Sequence, residues 1–226
     1  MKFTSVLKTT VFALVALSLV ACAKDPAQEV APAKVADKKE AAPAPAAKAE
    51  AAPAAEATAK GNLAGDLIFI GSQVTGSHTC KFTDWDGNLS DSKTLEESAF
   101  SFTVRTTAMA CDFEDPKPWT VKLEKHLRSD DFFASEKFPE ATFVSTAIKA
   151  QADEKTKATH LVTGNMTIRG IQKELSFPAT LSKGAEGFKA NIEFSLNRKE
   201  FDIMYPGKPD DLIRDDVVLK LSLASK

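Results

Sequence analysis

Between residues 61 and 226 apolar and polar side chains alternate with a period of two, segment after segment, the pattern of strands with one buried face and one wet face. Phe100, Phe102 and Val104 lie opposite Ser101, Thr103 and Arg105. Val162, Met166 and Ile168 lie opposite Thr163, Asn165, Thr167 and Arg169. Phe188, Ala190, Ile192, Phe194 and Leu196 alternate with Lys189, Asn191, Glu193, Ser195 and Asn197, and near the end Val217, Leu219, Leu221 and Leu223 repeat the pattern. Further strands are expected over 67–76, 81–89, 141–149 and 175–181, the third with Val144 and Ile148 turned inward. About eight such strands are the ingredients of a closed antiparallel barrel or a two-sheet sandwich. One helix is expected, over about 116–128. Asp115-Pro116 forms a helix entry, and Trp119, Leu123, His126 and Leu127 then recur on one helical face, which would pack on the barrel.

The pattern at the N-terminus is different. After Lys2 and Lys8 an apolar run extends for only about ten residues to Cys22, too short for a bilayer span of about 20 residues. A basic start, a short apolar middle and small residues at the end make a secretory signal peptide over 1–21. Leu19-Val20-Ala21-Cys22 resembles a bacterial lipobox, which implies cleavage before Cys22 and acylation of its thiol. A plain signal peptide with an incidental cysteine is the alternative, and the place of Cys22 at the end of the run weighs against it. With several acyl chains such an anchor is stable, so the chain is expected to be tethered to a membrane without spanning it. Ala23 stands where an Asp would favour inner-membrane retention, so the outer membrane is the expected site of this periplasm-facing lipoprotein.

Residues 22–60 are nearly all Ala, Pro, Lys and Glu, with no aromatic residue and no periodic apolar face, and so cannot offset the entropy of ordering. They are expected to be a disordered linker whose prolines at 26, 32, 43, 45 and 53 keep it extended. Its lysines and acids balance, which argues against a polybasic membrane patch. Loss of Lys2 and Lys8 takes the formal charge from -2 to about -4. That scattered, mildly acidic character excludes nucleic acid as a partner.

HLRSDDFFASEKFPEATFVST, VTGNMTIRGIQKELSFPATL and FSLNRKEFDIMYPGKPDDLIRDDVVLKLSL resemble, in order, the signature blocks of the YceI-like family, and FIGSQVTGSHTCKFTDWDG resembles its opening block. The resemblance runs from about residue 67 to the C-terminus within the expected 61–226 domain. It implies a lipocalin-like closed antiparallel β-barrel, exported to the periplasm, whose apolar interior accommodates an isoprenoid such as a polyprenyl lipid or a quinone tail. It implies no established catalytic residues, and no cofactor is expected beyond such a ligand. An eight-strand barrel is either filled by side chains or holds one small ligand. Phe100, Phe102, Val104, Val144, Ile148, Val162, Met166, Ile168, Phe188, Ile192, Phe194 and Leu196 are the candidates to line it, each equally able to serve as plain core packing. Arg198 is the polar residue placed to anchor a barrel end or to meet a ligand's head group, the structural role being favoured.

Once Cys22 is spent on lipid, Cys80 and Cys111 remain as an even pair in an oxidising compartment, and a disulfide between them is expected. A redox-active pair is the rival, but there is no C-x-x-C. His78, His126 and His160 have no zinc spacing, and no nucleophile elbow or phosphate-binding loop is present. The expected function is therefore a membrane-tethered binding protein for an isoprenoid or related amphiphile, not an enzyme. The alternatives are an envelope-stress or structural interaction module with a filled barrel, and an enzyme or redox component acting on or near quinones. Whether two barrels pair as a homodimer is left open by the sequence.

Overall fold

The computed structural model describes residues 24–37 and 61–226. The expected signal peptide, Cys22 with its expected acylation and residues 38–60 of the expected linker lie outside the described residues.

The strands are β1 (Lys34–Asp37), β2 (Leu63–Ser72), β3 (Ser77–Phe82), β4 (Trp85–Ser90), β5 (Ala99–Arg105), β6 (Met109–Cys111), β7 (Glu140–Asp153), β8 (Ala158–Ile168), β9 (Ile171–Gly184), β10 (Gly187–Asn197), the short pair β11 (Gly207–Lys208) and β12 (Asp211–Leu212), and β13 (Asp216–Ser225). Apart from β11 and β12 they form one eleven-stranded antiparallel sheet in the order β4-β5-β7-β8-β9-β10-β13-β2-β3-β6, with β1 added beside β9. It curls as the half-barrel of the lipocalin-type architecture that the family resemblance implies. What makes it curl is chain connection. Strands β3 and β4 stand near opposite ends of the order, yet only Thr83 and Asp84 separate them, and that span is on the order of 10 Å at most. The side-chain amide of Asn62 then ties β2's approach to β4, donating to Leu89 O at 2.9 Å and accepting from Leu89 N at 2.6 Å.

The sequence expects one strand over 81–89, and the structure has two, turned at Thr83-Asp84. The helix α1 (Thr120–Arg128) begins four residues later than the sequence expects, with Trp119 at its N-cap and no side-chain cap. Pro118 explains the shift: it disfavours helical backbone at Lys117, so Asp115-Pro116 cannot start a continuous helix. Trp119 is consequently exposed, while Thr120 and Leu127 are the buried residues of the helix.

A larger correction concerns the expected linker. Its described part is docked on the sheet. Asp25 caps a 3-10 turn, Pro26–Glu29, by accepting from Ala27 N at 3.0 Å, and its carboxylate accepts from Arg214 Nη1 at 3.1 Å and Ser72 Oγ at 3.4 Å. Further on, Ser195 N donates to Ala31 O at 3.0 Å, Ala33 N donates to Ser195 O at 2.8 Å, and β1 pairs with Lys173–Ser176 of β9. The cause lies in the sheet. The β9–β10 ladder stops at Ala179–Ile192, next to Pro178, which has no N–H to offer. Beyond it the two strands part, and residues 31–37 fill the seam, supplying backbone partners that a buried strand must find somewhere. Ala33 and Val35 pack against the core below.

Candidate functional site

A chain of aromatic contacts fills the half of the barrel away from Arg198. Phe188 meets Phe100 (ring centroids 6.1 Å), Phe100 meets Phe143 (5.8 Å), Phe143 meets Phe177 (5.4 Å), and Phe177 stacks on Phe194 (4.3 Å). All five rings are fully buried. On the Arg198 side of that stack the packing gives way to a partly open cavity of about 140 Å³. Its walls are Leu67, Phe69 and Gly71 of β2, Phe82, Phe102, Val104, Ala141, Met166, Ile168, Phe194, Leu196 and the inner residues of β13. Leu127 of α1 and Phe132 and Phe133 of the turn after it cover one side, Phe133 meeting Phe69 and Phe82 edge-on at 5.7 and 5.9 Å. The only charged side chain on the wall is Arg198.

Of the twelve residues expected inside, Phe102, Val104, Met166, Ile168, Phe194 and Leu196 border the cavity. Phe100, Ile148, Val162, Phe188 and Ile192 are buried in the filled half and do not border it. Val144 is half exposed and faces outward, against expectation. The register of β7 against β8 shifts between Ser145 and Ala147, so the alternation that carries Ile148 inward cannot be extended back to Val144; Ala141, Phe143 and Ser145 are the inward residues there. Sequence reasoning missed Leu67 and Phe69, whose alternation in LIFIG was available, and Phe132 and Phe133, which lie in a turn where periodicity gives no signal.

Arg198 caps the barrel end from a buried position. Its Nη1 donates to Ile203 O at 2.6 Å, Nε to Arg214 O at 3.1 Å, and Nη2 to Asp215 Oδ1 at 3.1 Å and Ile213 O at 3.4 Å. Burial pulls its pKa below the ordinary arginine value, and the Asp215 carboxylate opposes that shift. With its donors committed to the 203–215 segment, it serves as the structural anchor rather than as a free cation facing the cavity.

The cysteines stand opposite one another in the β3–β6 ladder and are joined as a disulfide across 31 positions of sequence. The histidines are dispersed: His78 pairs with Asp112, His126 with Asp131, and His160 lies buried beside Thr159. Among the described residues no three His, Cys, Asp or Glu side chains converge to hold a metal.

Comparison with known proteins agrees with this architecture. The profile of the YceI-like domain matches residues 54–225. A UPF0312 protein of Pseudomonas putida F1 is 32% identical over 145 residues, covering 60% of this chain and 69% of its own. Another, from Pseudomonas fluorescens SBW25, is 31% identical over 148 residues, covering 62% and 70%. Among solved structures, Burkholderia cenocepacia BcnA superposes with a TM-score of 0.57 at 19% identity, over 72% of this chain and 96% of its own. A polyisoprenoid-binding domain from Saccharophagus degradans, implicated in plant cell wall breakdown, gives 0.54 at 11% identity, over 73% and 97%. These two likenesses concern the fold.

Proposed function

The chain belongs to the YceI-like domain family, and from that premise we propose that it binds the hydrocarbon tail of an isoprenoid or related amphiphile, a polyprenyl lipid or a quinone, in the cavity beside Phe194. We place it in the bacterial envelope as a periplasm-facing lipoprotein, tethered by acylated Cys22 to the outer rather than the inner membrane. The observation that carries the reading is an apolar hole of about 140 Å³ in a barrel whose other half is fully packed. A dry apolar cavity of about 150 Å³ accepts a six-carbon ring, so this one has resting room for about one isoprene unit. The rest of a longer tail leaves through the open side. Five buried carbons are worth about 4 kcal/mol at about 0.8 each, before the costs of association. Polyisoprenoid binding by the Saccharophagus domain, which shares the fold, is in keeping with the proposal.

The test is organic extraction and mass spectrometry of the full chain purified from its native envelope, followed by titration with a polyprenyl lipid. A stoichiometric isoprenoid or quinone supports the reading and names the ligand. Nothing extracted, together with no uptake of added polyprenol, overturns it and leaves the barrel as a filled interaction module.

A further inference from the structure

Six large apolar side chains stand out from the surface among the described residues: Val74, Trp119, Val121, Val144, Met204 and Leu212. Five of them gather at one end of the barrel. Val74, in the turn between β2 and β3, donates its N–H to Leu212 O at 3.2 Å. The Trp119 ring lies 5.1 Å from that of His78, which pairs with Gly71 at the end of β2, and Val121 is in the first turn of the helix that Trp119 opens. Met204 follows Ile203, whose carbonyl Arg198 holds together with those of Ile213 and Arg214. Only Val144 is elsewhere, on β7.

The N-terminal segment is fixed at this same end. Asp25 is clamped by Ser72 and Arg214, residues two positions from Val74 and Leu212 respectively. Cys22 is three positions before Asp25, a covalent span of about 10 Å at most. The cavity also borders this end, through Gly71, Ile203 and Ile213.

We propose that this end is a membrane-facing rim, with Val74, Trp119, Val121, Met204 and Leu212 resting in the interface of a lipid bilayer, so that the cavity exchanges isoprenoid with the membrane without the tail crossing water. The inference rests on the tethering of Cys22 proposed above. It replaces a barrel on a long leash with one seated on its anchor. An indole at the rim suits the headgroup level, where aromatic rings with a polar edge are favoured. Arg214 is paired with Asp25, Lys117 with Asp115 and Lys199 with Asp215, so the contact rests on its apolar side chains and needs no anionic lipid.

The test uses the full acylated chain with Trp85→Phe, which leaves Trp119 as the sole tryptophan, reconstituted on phosphatidylcholine vesicles whose acyl chains carry bromine. Expected is loss of Trp119 emission on brominated but not on unbrominated vesicles, as for an indole at the interface, relieved by Val74→Asp with Leu212→Asp, two changes at already exposed positions, with the melting temperature unchanged. Protein that is bound to the vesicles but unquenched overturns the rim and leaves the tether standing. Protein that does not bind vesicles at all overturns the tether, and the rim with it.

Discussion

Substitution of Gly71 by leucine separates ligand binding from folding. Gly71 shares a strand face with Leu67 and Phe69, borders the cavity, and has no atom within 4 Å of where a Cβ would stand. Its backbone is ordinary strand, so a side chain there meets neither strain nor a wall. Leucine places four carbons in the space proposed for the ligand. Excluding four tail carbons forfeits about 3 kcal/mol of burial at about 0.8 each, which is about a hundredfold in Kd at 1.4 kcal/mol per decade. Stability moves the other way, because glycine inside a strand costs about 0.5–1 kcal/mol relative to alanine. A gain of that size raises the melting temperature of a domain of this length by about 1–4 °C. The assay is titration of wild type and Gly71→Leu with a fluorescent polyprenyl analogue, with thermal melts in parallel. Unchanged affinity in a stably folded variant would refute the assignment of the cavity as the tail site. A melting temperature lowered by several degrees would show that the space beside Gly71 does not exist as described.

Three further outcomes follow from the packing. Replacing both Cys80 and Cys111 with alanine reopens a loop of 31 positions and should lower unfolding stability by about 3.5–4 kcal/mol in the chain-entropy model, measured by denaturant titration against the oxidised protein. Arg198→Met strips donors from the carbonyls of residues 203, 213 and 214 and leaves Asp215 to Lys199 alone, and the unsatisfied carbonyls should cost about 3 kcal/mol of stability; weakened ligand binding with stability intact would instead make Arg198 a head-group contact. Hydrogen bonding to Lys173 holds the Asp37 carboxyl below its ordinary range, so its contribution to seating β1 is present above the unfolded carboxyl pKa and is lost as pH falls through the folded one. The protection factors of the β1 amides, taken against the intrinsic exchange rate at each pH, should therefore fall on acidification below about pH 4, while those of β10 and β13 do not change in step.

The strands were legible because a sheet with one buried face imposes a period of two that no other structure shares, and β5, β8, β10 and β13 appear where that period is cleanest. Periodicity fails where the backbone departs from regular pleating. At the β7 bulge, Val144 and Ile148 look equivalent in sequence, and only the register shift puts them on opposite faces. The cavity was half legible for a related reason. Alternation says which residues face inward, but whether an inward Phe packs against another ring or against a void depends on how far across the barrel its neighbours reach. Phe188 and Phe194 are indistinguishable by pattern in β10, yet one is in the filled half and the other borders the hole.

Residues 24–37 failed to announce themselves for a different reason, and the reason bears on where the domain begins. Composition measures whether a segment can bury enough apolar surface to order itself, and by that measure this one cannot. What orders it is demand from the other side. Pro178 ends the β9–β10 ladder, leaving Ser195 and the outer edge of Leu175 and Ser176 in need of backbone partners, and a segment with small side chains can supply them without colliding with the sheet. Ala31 and Ala33 pair across the gap, Val35 reaches the core, and Asp25 closes on Arg214, 189 positions away in sequence. The physical unit therefore includes chain on both sides of residues 38–60. An anchor at Cys22 would act on the barrel directly, at its seam and its open end, rather than through the whole length of chain that precedes residue 61.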